Sequence, residues 1–476
     1  MKRVLVAVAV ALVAKEAHAV PREENVPGHL LVEFRSDLPK QFRGARFERA
    51  LADHIHLLHA EDDSPAGTEA LRAALAADPD VAWVEPEHIR TRSSVDANDP
   101  LFTAQWALPL ARIPMAWTRT RGSERVVVAV LDTGILPHPD LRDRYVSGYD
   151  FISDPANAGD GNGRDPDPTD AGSADPTSSG LHGTHVTGII GAHSDNHLGI
   201  AGVDWNCRLL PVRVLGTDAG KGTDSDIADA IRWAAGLPVV GVPNNLHPAQ
   251  IINMSFGGPG GSKILQLAID AAVAHGVIVV AAAGNDAADT AAYAPAGLLH
   301  VIAVGAVLSN GKPASYSNHG ARVDLMAPGG DLAAGEGGGI LSTFEMPQDG
   351  FTYSFLAGTS QAAPHVAGVA ALMKAIDPTI TDERARAILR ATADPNGKCN
   401  EGCGGGLLDA NAALAAVEAS CIDGHCDNSG EAISVHGGCS VGGNGPGSGS
   451  HVPSGSGATL ALGLGLLALV IARRRG

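Results

Sequence analysis

The chain has 476 residues, 45% of them hydrophobic but only 4% aromatic, with 59 Gly and 29 Pro. That is more than one ordinary core accommodates and far too apolar for a disordered chain, so it indicates a turn-rich α/β globule with extra segments. The net charge of −18 argues against a nucleic-acid partner, since binding phosphate takes clustered Lys and Arg, and it suits a soluble exported protein.

Residues 1–19 read as an export signal. Lys2 and Arg3 precede the apolar run VLVAVAVALVA, and Ala17-His18-Ala19 places small residues at the cleavage-reading positions. A buried N-terminal helix is the competing reading. From 29 to 90 the pattern predicts a small unit: HLLVEF as a strand, GTEALRAALAA as a helix and VAWVEP as a closing strand. TRSSVDANDP then reads as a polar linker.

From about residue 100, short β-rich runs alternate with helical stretches. RVVVAVLDTG, RLLPVRVLG, QIINMSFGG, GVIVVAAAGN and HVIAVGAV are the strands; DSDIADAIRWAA and SKILQLAIDAAVAHG are helices between them. This alternation predicts a parallel sheet covered by helices on both faces, with function at the carboxyl ends of the strands. Asp132, Ser255 and Asn285 fall there.

The chemistry centres on GTSQAAPHVAG, where Ser360 stands at the mouth of a predicted helix. A serine needs a base in contact, and the base an orienting carboxylate. AVLDTG offers Asp132 at a strand end, and LHGTHVTGIIG offers His182 at a helix start, with Gly183 permitting close backbone approach. VVAAAGND offers Asn285, whose amide suits a developing oxyanion. Each signal alone has a structural reading: N-cap, buried histidine or turn. The chain order Asp, His, Ser differs from that of chymotrypsin-like enzymes and of α/β-hydrolases.

On DTG, HGTHVTG, NMSFGG, AAAGN and GTSQAAPHVAG, the chain resembles the subtilisin-like serine endopeptidases of the peptidase S8 family over roughly residues 25–415. The resemblance implies an α/β subtilisin-like parallel sheet preceded by a small α+β inhibitory propeptide. It implies Asp132, His182 and Ser360 as the triad and Asn285 as the oxyanion donor, with His185 outside that role. It further implies that Gly220 to Gly222 and Ser255, Phe256 and Gly257 are the edges an extended peptide pairs with, and that Ala283 and Gly284 belong to the S1 wall. Small residues there suggest an apolar or aromatic P1 side chain. Gln361 departs from the family's commoner Met. Two readings stand: resistance to oxidants, since Met oxidises to a polar sulfoxide and Gln does not, or neutral drift.

The loop 150–170 is crowded with Asp, Asn and Gly, and Asp160, Asp165, Asp167 and Asp170 are candidate ligands for a structural Ca²⁺. Its spacing is not that of an EF-hand, because Arg164 sits where an oxygen ligand is needed. A solvated acidic turn is the alternative. Five of six cysteines follow residue 398: Cys399–Cys403 and Cys421–Cys426 could each close a small loop, the pairing being open, with a zinc site as the rival. Residues 440–457 have a linker composition, and ATLALGLGLLALVIA before Arg473–Arg475 resembles a membrane-stopped tail, with an ordinary core helix as the alternative.

The expected organisation is therefore signal 1–19, propeptide 20–95, catalytic domain 96–420, Cys/Gly/Ser-rich linker 421–457 and hydrophobic C-terminal helix 458–476. Expected partners are peptide substrates, the chain's own propeptide as inhibitor, and the membrane through the tail, with no nucleic acid and a monomeric state. The tail predicts a secreted or envelope-attached protein, and Cys439 is read as carrying a lipid, marking a cut or joining a disulfide. A non-catalytic binding module and a lipase or esterase are the competing functions; the first calls for a lost triad member, and none is lost, and the second for a GxSxG elbow at the serine, which GTSQA does not supply.

Overall fold

The computed structural model describes residues 25–35, 44–88, 94–172, 181–218, 220–333, 335–346, 350–397, 399, 402–422 and 425–426. The expected signal, residues 427–457 of the expected linker (with Cys439) and the expected C-terminal helix lie outside the described residues. Among those described, no helix is long and apolar enough to cross a membrane.

The first unit is a four-stranded antiparallel sheet, in the order Ala45–Ala52, Ile55–Ala60, Asn25–Phe34, Val81–His88. Strict alternation in LVEF-type sequence sends Leu30, Val32 and Phe34 to one face, where Leu58, Leu75 and Val81 complete a small core. The helix Pro65–Ala76 covers that face; Ser64 caps it by accepting from Gly67 N–H at 3.1 Å, and proline opens it. The strands Asn25–Phe34 and Val81–His88 and the helix match the sequence expectation, whereas the hairpin from Ala45 to Ala60 was not foreseen. Its first strand is mostly exposed, so it carries little apolar periodicity.

The second unit holds a seven-stranded sheet in the order Val323–Pro328, Ile302–Val307, Ile278–Ala282, Ile251–Met254, Val127–Asp132, Arg208–Arg213, Tyr149–Asp150. Every pairing in it is parallel. Helices Asp224–Ala234 and Lys263–Ala274 pack together on one side, over Leu210, Ile252 and Val279. Helices His182–Gly191 and Thr359–Ile376 pack together on the other. Both faces are thus buried, which is why the strands read as continuous apolar runs. All five predicted strands and both predicted helices are present.

Disulfides close Cys399–Cys403 and Cys421–Cys426, the two close pairs, and Cys207 is a buried free thiol.

Candidate active site

Asp132 ends a strand whose six residues are all buried, and is itself fully buried. A carboxylate is costly there unless its oxygens are bonded. Oδ1 accepts from Thr133 N–H at 2.8 Å and from His182 Nδ1 at 2.8 Å. The His182 ring therefore carries its proton on Nδ1 and presents Nε2 as a bare base. Burial alone lowers the affinity of His182 for a proton; the charge and hydrogen bond of Asp132 outweigh it, and the imidazole is raised above its ordinary value.

His182 reaches Asp132 because its helix starts almost in contact with the turn after the strand. A Cβ at Gly183 would stand 2.1 Å from Gly134 O, so only glycine fits. Thr133 locks this junction: its hydroxyl accepts from Gly183 N–H at 3.0 Å and donates to Asp170 at 2.5 Å. His185, one turn on, is fully buried and bonds Ile340 O and Ser354 O at 3.1 Å each, a structural tie to the hairpin Ile340–Leu356.

Ser360 is the second residue of helix Thr359–Ile376, where backbone N–H groups lack intrahelical acceptors. Asn285 lies beside it, in the turn after Ile278–Ala282. Its Oδ1 accepts from both Thr359 N–H and Thr359 Oγ1, each at 2.9 Å. Thr359 Oγ1 in turn accepts from Gly284 N–H at 3.1 Å. With Oδ1 committed to Thr359, the amide nitrogen of Asn285 lies 3.4 Å from where a Cβ on Gly358 would stand, next to the start of that helix. Asn318 shapes the same turn, donating to Ala283 O and accepting from Asp286 and Ala288 N–H. Sequence reasoning named neither Thr359 nor Asn318; the Thr359 contact spans 74 residues, and no local motif announces it.

Ser255 follows the strand Ile251–Met254. It is 2% exposed, accepts from Asn253 Nδ2 and donates to Ser360 O at 2.8 Å, bracing the helix start from below. Gly220, Gly222, Phe256 and Gly257 come together along one open cleft, with Ala294 and Pro295 beside Gly257. Ala283 is buried and Gly284 adopts φ +109°; a Cβ there would meet Asn318 Nδ2 at 2.2 Å. Gln361 is buried beside the serine, its Nε2 3.5 Å from His182 Nε2.

The four aspartates of the 150–170 loop are not brought together. Asp160 pairs with the buried Arg213 at 2.7 Å, which also holds Asp150 at 2.6 Å. Asp170 is on Thr133, and burial pushes its carboxyl up to about 6. Asp165 and Asp167 form turns with Asp167 N–H and Thr169. Arg164 bonds Asp226 and Asp229. Arg213 offsets the charge of Asp160, Arg164 is committed to Asp226 and Asp229 outside the loop, and the four carboxylates, spread over different partners, are not gathered into a single Ca²⁺ centre.

The subtilase family model, peptidase S8, matches residues 123–406. The extracellular protease of Xanthomonas campestris pv. campestris is 42% identical over 369 residues, 74% of this chain and 62% of that protein. The extracellular basic protease of Dichelobacter nodosus is 41% identical over 72% of this chain and 59% of its own length. The chain thus spans about six tenths of these two relatives. Subtilisin BL of Lederbergia lenta is 38% identical over 65% of this chain and 97% of its own. A solved structure described as proteases from Pseudoalteromonas arctica PAMC 21717 superposes with TM-score 0.65 at 44% identity, over 67% of this chain and 99% of that one. With the parallel sheet, the site at its carboxyl edge and a matched span of more than half its length, the chain belongs to the subtilase family.

Proposed function

We propose that the chain is an exported serine endopeptidase acting through Asp132, His182 and Ser360, with Asn285 as the side-chain donor of its oxyanion hole. The observation that carries this reading is the Asp132–His182 hydrogen bond at 2.8 Å, which leaves Nε2 basic beside the helix start that bears Ser360. Ser360 Oγ attacks a peptide carbonyl while His182 Nε2 takes its proton and returns it to the leaving amine. Asp132 holds the ring and balances its charge. The carbonyl oxygen, now negative, accepts from Asn285 Nδ2 and Ser360 N–H, one such donor being worth roughly 3 kcal/mol. The peptide lies along the glycine-lined cleft of Gly220, Gly222, Phe256 and Gly257, where missing side chains admit a backbone. The small residues Ala283 and Gly284 border a P1 pocket for an apolar or aromatic side chain.

The antiparallel unit of residues 25–88 acts as a propeptide, with cleavage in RTRSSVDAND, and keeps the enzyme silent until export. Relatives named extracellular proteases support secretion. A tail of residues 458–476, preceded by Cys439, then stalls or anchors the chain at the membrane. Structural calcium belongs to the reading at the level of the family, away from the four aspartates taken together. Replacing Ser360 by Ala in the full chain is the test: casein hydrolysis and release of the N-terminal unit are both expected to stop. A variant that still matures by itself and cleaves casein would refute the assignment.

A further inference from the structure

A second group of ligating side chains sits on the N-terminal sheet, far in sequence from the triad. His29 and His59 are directly opposed across Asn25–Phe34 and Ile55–Ala60. Arg46 opposes His59 on the next strand, and Glu48 stands at a bulge between Phe47 and Arg49, close to both histidines. The two histidines are on the side away from the Leu30, Val32 and Leu58 core. One ligating atom from each of His29, Glu48 and His59 lies within 4.8 Å of the others, with His29 Nε2 3.7 Å from Glu48 Oε2. On the far side of the ring, His29 Nδ1 bonds Glu87 at 2.6 Å.

That last contact distinguishes the cluster from a chance crowd of polar groups. A metal-bound imidazole nearly always gives its other N–H to a carboxylate, which fixes tautomer and ring orientation. Glu87 does this for His29. With the proton on Nδ1, Nε2 is a bare lone pair facing a carboxylate and a second imidazole, three acceptors around one point. A cation there removes their mutual repulsion. Two nitrogens and one carboxylate suit Zn²⁺, whereas Ca²⁺ and Mg²⁺ take oxygen. Bonds of about 2.0–2.1 Å put neighbouring zinc ligands about 3.3 Å apart, so side-chain rotation must close the 4.8 Å spread by about 1.5 Å at most. His29 and Glu48, 20% and 29% exposed, have the room to do so.

We propose that His29 Nε2, His59 and Glu48 bind one zinc ion, with Glu87 holding His29 from behind and water completing the tetrahedron. The ion would tie three of the four strands of this sheet together and stabilise the unit. The proposal is independent of peptidase chemistry.

The test uses the full chain with Ser360→Ala, which stays intact if the chain processes itself and is otherwise a neutral background. Zinc is titrated in competition with a chromophoric chelator, and the unfolding of the N-terminal sheet is followed with and without zinc. One equivalent bound is expected, with a rise in the sheet's unfolding temperature. Glu87→Gln should weaken binding by about 10- to 100-fold, and His29→Asn with His59→Asn should abolish it. Should the histidine pair fail to fold, Glu48→Gln, which keeps the shape and removes a ligand charge, decides by the same titration. No binding, or binding equal in the parent and in these variants, overturns the proposal.

Discussion

Asn285 and Thr359 make a two-residue device. The threonine holds the amide oxygen with two bonds of 2.9 Å, which leaves the amide nitrogen for the role of oxyanion donor that we propose for it. Asn285→Leu keeps the shape and loses the donor; kcat should fall by roughly 10²–10³-fold with little change in KM. An unchanged kcat in steady-state assays would remove Asn285 from the site. Gln361 adds a second effect. Its Nε2 faces His182 Nε2, and a donor there favours the neutral ring. Asp132 and Asp170 act in the opposite sense on the same imidazole, while His185 is held neutral by burial, its pKa brought down to about 3. Gln361→Met should therefore move the acid limb of kcat/KM to higher pH. A limb that stays or moves down would mean that the amide does not act on His182. Asp132, His182, Asn285 and Ser360 could be singled out as candidates because each sits in a contiguous motif. The roles of Thr359, Asn318 and Asp170 could not, since they exist only through contacts between distant segments.

Helix Thr359–Ile376 passes through the core and buries His365, whose Nδ1 bonds Gln361 O at 2.8 Å. Burial brings its pKa down from 6.5 to about 4. The folded state then binds fewer protons than the unfolded chain between these values, so this stability is present above about pH 6.5 and is lost as pH falls toward 4. Asp140 and Asp382, raised by burial to about 6, work the other way, so the comparison must be made against a variant. Urea unfolding of the Ser360→Ala chain should show a steeper loss between pH 7 and pH 5 than the same chain with His365→Gln. Equal losses would contradict the burial argument. Five sheet strands were legible from their unbroken apolar runs. Val323–Pro328 was not: Asp324 interrupts it, and only the fold shows that this carboxylate is answered by Ala303 N–H, Arg386 and Arg390. The hairpin Ile340–Leu356 was missed for a similar reason, its second strand being half-buried throughout most of its length.

Across the molecule, acidic excess is handled by a few arginines placed inside. Arg213, 1% exposed, holds Asp150 and Asp160, and Arg164 spans to Asp226 and Asp229. The sequence shows the aspartates as one crowded loop but not that Arg213 reaches Asp150 and Asp160 from the strand Arg208–Arg213, nor that Arg164 leaves the loop for Asp226 and Asp229. Asp165→Ala with Asp167→Ala should consequently leave any calcium-dependent shift in unfolding temperature unchanged; a shift abolished by that pair would return the loop to metal binding. The architecture as a whole, a parallel sheet with its site at the carboxyl edge, was legible from the alternation of strands and helices. The central claim is that Ser360 is a nucleophile activated by His182. Its most direct measurement is mass-resolved labelling with a fluorophosphonate. The account predicts one adduct, mapped to Ser360 and lost in both Ser360→Ala and His182→Ala. Labelling elsewhere, or at Ser360 with undiminished rate in His182→Ala, would contradict it.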